Sequence, residues 1–465
     1  MAEIHCPLSE QAARTGNAPA IITPQRIISY RELALKVAAA VRNLEAMGCR
    51  EGDRLALHLP NDWRYLVLLL SLFRIGGVAC PLNYRIPPRG LKGHLETIAC
   101  SKIVSSGMRF SAILPGTISL DLDDLVGQEQ SGQEHCPEDA IPLERPATTV
   151  ITSGSSGKPK AALLTYGNLF YNAKGSSLNI HLEPGDRWLL NLPLYHVGGL
   201  GILFRCLING AAVVMPEPDE GLETSIFRHN VTHLSVVPTQ LFRLLRDLEN
   251  VKRLLSLKAV LVGGAPIPAP WLKKTFDKGL PVYTSYGLTE MSSQVTTTRA
   301  DAPNEKRFTS GMTLRYAQLR IGPKSEILVR GETLFLGYVE GDQVRLPVDS
   351  EGWFATGDLG RLDADGYLTV LGRKDNMFIS GGENIQPEEI EAALVELPSV
   401  AQALVVPVSD EEFGHRPVAF IRSTKTVIDP HAIKQMLRDL LPSCKVPIVF
   451  YDLSLDTEGL KLDRS

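Results

Sequence analysis

The fold class is decided by the stretch from residue 54 to residue 82, RLALHLPNDWRYLVLLLSLFRIGGVACPL. Arg54–Leu59 is predicted to form a strand, Trp63–Arg74 a helix and Val78–Leu82 a second strand. The same alternation returns further along the chain, at Trp188–Leu192, Ala211–Met215, Leu234–Val237, Gln240–Leu248, Ala259–Val262 and Val282–Ser285. Apolar strands that alternate with helices predict an α/β protein, with parallel sheets covered by helices on both faces.

The pattern changes after about Leu314, where the predicted strands become short and turns become frequent. These strands predict a β subdomain and lie at Arg320–Ile321, Glu326–Val329, Gly360–Leu362 and Tyr367–Leu371. Beyond Asp375 an α+β pattern follows, with helices at Glu388–Glu396 and His431–Leu440 and strands at Val400–Pro407 and Arg416–Arg422. We therefore expect a large N-terminal domain over 1–373, a hinge at 374–376 and a small mobile C-terminal domain over 377–465.

The composition is that of an ordinary globular protein. Of the 465 residues, 44% are hydrophobic and 22% are charged, which excludes a low-complexity or disordered chain. The formal net charge of -4 argues against a nucleic-acid-binding protein. The 7 cysteines are scattered, so neither a zinc site nor a disulfide framework is predicted. The N-terminus lacks the pattern of a signal peptide, and the most apolar stretch, Tyr65–Cys80, contains Arg74. We therefore expect a cytoplasmic protein without a membrane-inserted segment.

One loop combines hydroxyl side chains, glycines and lysines in a way that suits phosphate. It follows the predicted strand Thr148–Ile151 and consists of Thr152, Ser153, Gly154, Ser155, Ser156, Gly157, Lys158, Pro159 and Lys160. Glycine lets backbone N–H groups approach phosphate oxygens, and lysine adds positive charge. The loop is not a Walker P-loop, because a proline follows the first lysine and the glycine spacing differs. Composition alone predicts a flexible surface loop equally well.

Further motifs carry residue types that fit the same chemistry. The segment 286–290 (YGLTE) follows a predicted strand, so its aromatic ring, hydroxyl and carboxylate lie where α/β proteins bind ligands. Asp358, in the segment 356–358 (TGD), offers a carboxylate that can bind both hydroxyls of a ribose. Arg373 and Asp375 lie at the predicted hinge, and Lys461 lies near the C-terminus.

In this order, and over almost the whole chain, the motifs resemble those of the acyl-adenylate-forming enzymes, which include acyl-CoA synthetases, adenylation domains and luciferases. Several sequence segments are most similar to those of one branch of this family, which makes the CoA thioester of the aromatic dicarboxylate o-succinylbenzoate in menaquinone biosynthesis. The segments that carry this similarity are 192–197 (LPLYHV), 237–241 (VPTQL), 261–265 (LVGGA), 381–389 (GGENIQPEE) and 412–418 (EFGHRPV). The resemblance implies an ATP-dependent ligase that needs Mg²⁺. A carboxylate attacks the α-phosphate of ATP, the small domain rotates, and CoA displaces AMP.

The resemblance also implies a role for each motif. The β- and γ-phosphates of ATP would be held by Thr152, Ser153, Gly154, Ser155, Ser156, Gly157, Lys158 and Lys160. The adenosine would be held by Gly263, Gly264, Ala265, Tyr286, Gly287, Asp358 and Arg373. Thr289 would contact the α-phosphate, and Glu290 would bind Mg²⁺. Asp375 would be the hinge residue, and Lys461 would stabilise the transition state of adenylation. Taken alone, Lys461 is more simply a solvated tail residue, so the shared order of the motifs carries its assignment.

The acid pocket is expected between the loop 192–201, the strand Leu234–Val237 and the segment after Glu290. A flat aromatic dianion needs apolar walls and at least one cation or set of donors. Arg205 is the candidate cation because it stands in an otherwise apolar predicted helix, although a place on the helix surface would also explain it. The other candidates for this pocket are His196, which could gate it and act with the catalytic residues or simply pack, Ser235 and Gln294.

Alternatives remain open at this stage. The chain could act on another aryl or acyl acid, or it could deliver the acyl group to a carrier-protein thiol instead of CoA. A nucleotide-binding protein without catalysis is a third possibility. Against it stands the presence of all the expected catalytic and nucleotide residues, namely Thr289, Glu290, Asp358, Arg373 and Lys461. The oligomeric state, a homo-oligomer included, is left open by the sequence.

Overall fold

The computed structural model describes residues 2–127, 140–153, 159–380, 383–410, 413–423, 429–441 and 443–453. Within these ranges the α-helices are Pro7–Thr15, Tyr30–Ala46, Trp63–Ile75, Lys92–Thr97, Leu122–Val126, Tyr166–Ser177, Val197–Asn209, Leu222–Arg228, Pro238–Leu244, Leu248–Leu254, Ala269–Asp277, Pro387–Glu396 and Pro430–Leu440. The 3₁₀ turns are Pro88–Leu91, Phe110–Ala112, Thr289–Met291, Asn304–Phe308, Pro323–Ser325, Lys374–Asn376 and Ser443–Lys445.

The first large sheet carries the strand that leads into the predicted phosphate loop. Its spatial order is Gln343–Arg345, Gly337–Glu340, Pro159–Thr165, Pro146–Ser153, Val78–Pro81, Arg54–Leu57, Lys102–Ser105 and Ile118–Asp121. From Pro146–Ser153 to Ile118–Asp121 the neighbours are parallel, and the remaining pairs are antiparallel.

The second large sheet carries the adenosine and acid motifs. Its spatial order is Met312–Thr313, Ser293–Thr297, Val282–Leu288, Ala259–Val262, His233–Val236, Arg187–Leu189, Ala212–Val214, Pro19–Ile22 and Ile27–Ser29. Its interior pairs are parallel and both edges are antiparallel. The prediction of an α/β fold with parallel sheets is confirmed, and antiparallel strands extend both parallel cores at their edges.

The helix Trp63–Ile75 shows how local sequence fixes this architecture. It begins after Asp62, whose carboxylate accepts a hydrogen bond from the backbone N–H of Arg64 at 2.7 Å. It ends at Gly76, which has a φ of 75°, a conformation that glycine adopts without strain. The residues from Tyr65 to Phe73 are all buried, as expected for a helix that is apolar on every side.

The predicted β subdomain is an antiparallel sheet of the strands Ala317–Ile321, Glu326–Gly331, Phe354–Leu362 and Leu368–Arg373. A further sheet follows it, with the strands Phe378–Ser380, Glu383–Ile385, Val400–Asp410, Gly414–Ser423 and Phe450–Asp452. A small pair joins Glu3–His5 to Ala140–Pro142.

The segment after the 3₁₀ turn Lys374–Asn376 has a hydrophobic core of its own. Among the described residues this cluster draws only on side chains from Phe378 onwards, including Ile390, Val405, Ile421 and Leu437. A separate core is what a domain able to move as a unit requires. No helix in the described ranges is long and apolar enough to cross a membrane.

Candidate active site

The predicted phosphate loop joins two antiparallel strands. Thr152 pairs with Lys160, and Ser153 pairs with Pro159, at the point where the strands leave the sheet. Five of the predicted phosphate-binding residues lie outside the described residues, namely Gly154, Ser155, Ser156, Gly157 and Lys158. Lys160 is described, and its Nζ lies 5.1 Å from the centroid of the Tyr338 ring.

The carboxylate of Glu290 contacts the same tyrosine through its hydroxyl. Thr289 and Glu290 begin the short 3₁₀ turn Thr289–Met291, directly after the strand Val282–Leu288. The hydroxyl of Tyr338 donates to Oε1 of Glu290 at 2.6 Å. Mg²⁺ in nucleotide sites is usually held by one or two carboxylates, water and substrate phosphates, so a single carboxylate that shares a contacting tyrosine with Lys160 fits this ion.

Asp358 is the centre of a hydrogen-bonded chain. It accepts from the hydroxyl of Tyr286 at 2.7 Å and from Nη1 of Arg373 at 3.0 Å. Burial and the nearby Asp358 charge raise the pKa of Tyr286 well above its usual value, so the phenol remains a donor. A Cβ at Gly357 would lie 3.0 Å from Nη2 of Arg373, so glycine leaves room for the guanidinium. The structure thus brings the predicted ribose residues together.

The glycine segment 263–265 follows the strand next to the one that carries Tyr286. It leaves the strand Ala259–Val262, and Val262 pairs with Thr284 of the strand that carries Tyr286 and Gly287. The backbone N–H of Gly263 donates to the carbonyl of Val236 at 3.3 Å. This arrangement puts the predicted adenine residues at the carboxyl ends of neighbouring parallel strands, where α/β folds bind nucleotides.

Arg205 is a buried cation without a carboxylate partner among the described residues. Its side chain is 2% exposed, and its Nε has no hydrogen-bond partner. Nη1 donates to Oε1 of Gln294 at 2.7 Å, and the guanidinium carbon lies 4.5 Å from the centroid of the Trp188 ring. Burial lowers the pKa of Arg205 to about 10, which reflects the cost of an uncompensated charge. The alternative of a surface position on the helix Val197–Asn209 is therefore wrong.

Ser235 acts on this cluster through the tryptophan. Its Oγ accepts a hydrogen bond from Nε1 of Trp188 at 3.1 Å, and both side chains are buried. Gln294 is also fixed, because its Nε2 donates to Oγ1 of Thr297 at 2.7 Å. Sequence reasoning missed Trp188, since nothing in the sequence shows that its ring lies on the guanidinium.

His196 lies apart from this cluster. It is exposed, precedes the helix Val197–Asn209 and lies with its ring centroid 4.6 Å from that of Tyr195. Arg205 lies nine positions further along the helix, which is roughly 13 Å along the axis. The structure does not bring this histidine to the guanidinium, so a place at one end of the pocket remains a prediction.

The predicted hinge is tied to the ribose residues. Nη2 of Arg373 donates to Oδ2 of Asp375 at 3.2 Å, so one guanidinium links the Asp358 carboxylate to the turn Lys374–Asn376. The backbone carbonyl of Arg373 accepts from Nε2 of Gln386 at 3.0 Å. The position of Lys461 lies outside the described residues.

Comparisons with known proteins match both parts of the chain. The model of the AMP-binding enzyme family matches residues 8–339, and that of the AMP-binding enzyme C-terminal domain matches residues 389–456. A 2-succinylbenzoate–CoA ligase of Bacillus cereus is 34% identical over 451 residues, covering 95% of this chain and 92% of the relative. The enzyme of that name from Bacillus velezensis is 34% identical over 460 residues, covering 96% of this chain and 93% of its own.

Solved structures of similar enzymes agree in fold. The o-succinylbenzoate CoA synthetase of Bacillus subtilis, in complex with its acyl-adenylate intermediate, has a TM-score of 0.87 and 30% identity, covering 99% of this chain and 96% of that chain. The same enzyme with ATP and a magnesium ion has a TM-score of 0.87 and 30% identity, covering 97% and 96%. A variant of the E. coli enzyme MenE with bound OSB-AMS has a TM-score of 0.86 and 32% identity, covering 100% of this chain and 97% of that chain.

Proposed function

Since the chain belongs to the family of AMP-binding enzymes, we propose that it is an AMP-forming ligase for o-succinylbenzoate (2-succinylbenzoate). It adenylates this acid with ATP and transfers the acyl group to CoA, giving o-succinylbenzoyl-CoA, AMP and pyrophosphate, as a step of menaquinone biosynthesis. ATP and CoA are its co-substrates, so we place the reaction in the cytoplasm. The observation that carries the choice of acid is the buried guanidinium of Arg205, which lacks a carboxylate partner among the described residues.

A dicarboxylate explains why such a charge is kept. One carboxylate of the acid has to reach the α-phosphate of ATP, so the second one needs its own partner inside an apolar pocket. A buried cation that already stacks on Trp188 and bonds to Gln294 supplies it, and its unpaired Nε keeps donor capacity. The anion in turn compensates the desolvated guanidinium.

In the first half-reaction the carboxylate oxygen forms a bond to the α-phosphorus, and the bond to pyrophosphate breaks. No general base is required, because a carboxylate is ionised at neutral pH. The task of the protein is to position the reactants and to offset the growing negative charge. Lys160 and the hydroxyl of Thr289 do so at the phosphates, and Lys461 does so when the C-terminal domain closes. Glu290 would hold Mg²⁺, which neutralises phosphate charge when bound.

In the second half-reaction the CoA thiolate attacks the carbonyl carbon of the acyl-adenylate, and AMP leaves. The domain 377–465 has to rotate so that its lysine withdraws and the thiol can enter. We propose Asp375 as the hinge, because it lies in the exposed turn that precedes the separate hydrophobic core of the C-terminal segment. Its ion pair with Arg373 links this turn to Asp358, the carboxylate proposed to bind the ribose.

The ribose assignment predicts a selective loss. Asp358→Asn removes the charge that both ribose hydroxyls and Arg373 use, so we expect the KM for ATP to rise about 10- to 30-fold, the size of a lost charged hydrogen bond. The KM for the acid should stay within about twofold. Asp363→Asn is the matched control, because this carboxylate pairs with Lys306 at the surface. An unchanged KM for ATP in Asp358→Asn would remove this residue from the ribose site.

The role of Ser235 can be separated from direct contact with the acid. Ser235→Ala leaves the buried Nε1 of Trp188 without an acceptor, so we expect a loss of about 1–3 kcal/mol in the free energy of unfolding and a higher KM for the acid. In a Trp188→Phe background there is no N–H to satisfy, and Ser235→Ala should then change neither quantity. Steady-state kinetics and thermal unfolding of the four variants measure this cycle. An equal rise of KM in both backgrounds would show that Ser235 contacts the acid itself.

A further inference from the structure

The side chain of Tyr338 lies between two groups that act on the phosphates of ATP. Its hydroxyl donates to Oε1 of Glu290 at 2.6 Å, and its ring lies 5.1 Å from Nζ of Lys160. Neither contact needs a ligand to form. One residue outside the phosphate loop therefore contacts both the predicted metal carboxylate and a predicted phosphate lysine.

The sheet explains why these three side chains meet. The strand Gly337–Glu340 pairs with Pro159–Thr165, with Tyr338 directly opposite Ala162. Directly opposite residues, and alternate residues of one strand, share a face, so Lys160 and Tyr338 lie on the same side of the sheet. The backbone N–H of Phe335 donates to the carbonyl of Glu290 at 2.8 Å and anchors the turn against the segment that leads into this strand.

The two contacts use different parts of the side chain. Within the described residues Oε2 of Glu290 has no hydrogen-bond partner, whereas Oε1 is held by the phenol. A carboxylate that is held through one oxygen presents the other in a fixed direction, as a ligand of Mg²⁺ requires. The ring face attracts the ammonium of Lys160 and limits where this flexible side chain points.

We propose that Tyr338 is a positioning residue for Mg²⁺-bound ATP. Its hydroxyl orients the metal-binding carboxylate of Glu290, and its ring orients the phosphate-binding ammonium of Lys160. The inference rests on the proposed function, since it assigns a metal role to Glu290. It adds a residue that lies in none of the motifs that suggested the reaction.

The test compares ATP binding with and without the metal, in the absence of any acid. The dissociation constant of ATP is measured by calorimetry in Mg²⁺ and in EDTA. The value in EDTA divided by the value in Mg²⁺ is the binding ratio, which reports how much the metal strengthens binding. In Tyr338→Phe the ratio should fall about tenfold, the size of one lost hydrogen bond to a charged group. Tyr338→Leu should lower the ratio equally and also weaken binding in EDTA about threefold, because the ring beneath Lys160 is lost.

Tyr367→Phe is the matched control. This buried tyrosine also lies under a lysine, with Nζ of Lys306 at 5.3 Å from its ring centroid, and no hydrogen bond of its hydroxyl is found among the described residues. Its ratio should equal that of the unmodified chain. Thermal unfolding of each variant shows whether it is folded at the temperature of the titration.

A fall of at least fivefold in Tyr338→Phe, with none in Tyr367→Phe, supports the inference, and any smaller fall overturns it. Equal ATP affinity of the unmodified chain in Mg²⁺ and in EDTA would also overturn it, because Glu290 would then have no metal to bind. Failure of the acid assignment has a different signature, because no pyrophosphate would then be released from ATP in the presence of o-succinylbenzoate, while the binding ratio stayed measurable.

Discussion

Arg205→Met is expected to raise the KM for o-succinylbenzoate about 100-fold or more and to leave the KM for ATP within about twofold, since the loss of one partner from a buried charge pair costs about 2–5 kcal/mol. The guanidinium is buried, so in the variant no water can take its place as the partner of the second carboxylate of the acid. Steady-state kinetics with each substrate varied in turn measure both constants. Unchanged kinetics for the acid would remove Arg205 from the pocket.

The stability of the same variant should move differently from its kinetics. In the ligand-free chain Arg205 is buried without a carboxylate partner among the described residues, so an apolar side chain of similar length removes an uncompensated charge. We expect the Tm of Arg205→Met not to fall. Arg187→Met is the control, because its side chain donates to the carbonyl of His229 and lies one residue from Trp188, on the other face of the strand. A collapse of Tm in Arg205→Met would show that the arginine is a structural residue.

The second large effect is expected at Lys461. Lys461→Ala should slow formation of the acyl-adenylate about 100- to 1,000-fold, the usual loss when one preorganised group that offsets transition-state charge is removed. Transfer of the acyl group from supplied acyl-adenylate to CoA should stay within about threefold of the parent rate, because the thioester step needs this lysine withdrawn. Pyrophosphate exchange and single-turnover thioester formation measure the two half-reactions separately.

Lys445→Ala is the control for that experiment. Lys445 also belongs to the C-terminal segment and pairs with Glu389, so its removal changes the charge of the domain without changing the transition state. Both half-reactions should proceed as in the parent chain. An equal loss of both half-reactions in Lys461→Ala would contradict a role confined to adenylation.

Each rival activity differs from the proposed one in a measurable property of its own. A ligase for another acid would use the same nucleotide residues, so only the variants of Arg205 and Ser235 would lose their selective effects on o-succinylbenzoate. An enzyme that loads a carrier protein would release pyrophosphate with this acid but would form no CoA thioester. A binding protein without catalysis would release no pyrophosphate at all.

Much of this architecture could be predicted from local sequence. The strand and helix between Arg54 and Ile75 follow from their apolar runs, and the structure confirms them. The α/β class, the β subdomain and the α+β pattern after Asp375 were predictable for the same reason. The antiparallel edges were not, because strand direction depends on where a distant hairpin joins the sheet.

The candidate site divides in the same way. Motif residues such as Glu290 and Asp358 were predictable because each stands in a continuous segment of distinctive composition. Trp188 and Tyr338 were not, since each joins the site through a contact that only the tertiary packing of distant segments creates. Arg205 lies between these cases, because its apolar neighbours suggested burial but left its partners Trp188 and Gln294 unknown.

Mass spectrometry of the products tests the central claim most directly. The purified chain is incubated with ATP, Mg²⁺, CoA and either o-succinylbenzoate or benzoate, which lacks the second carboxylate. We predict a CoA thioester, AMP and pyrophosphate from o-succinylbenzoate, and no thioester from benzoate. A thioester formed equally well from benzoate, or none from o-succinylbenzoate, would contradict the assignment of Arg205 and of the acid.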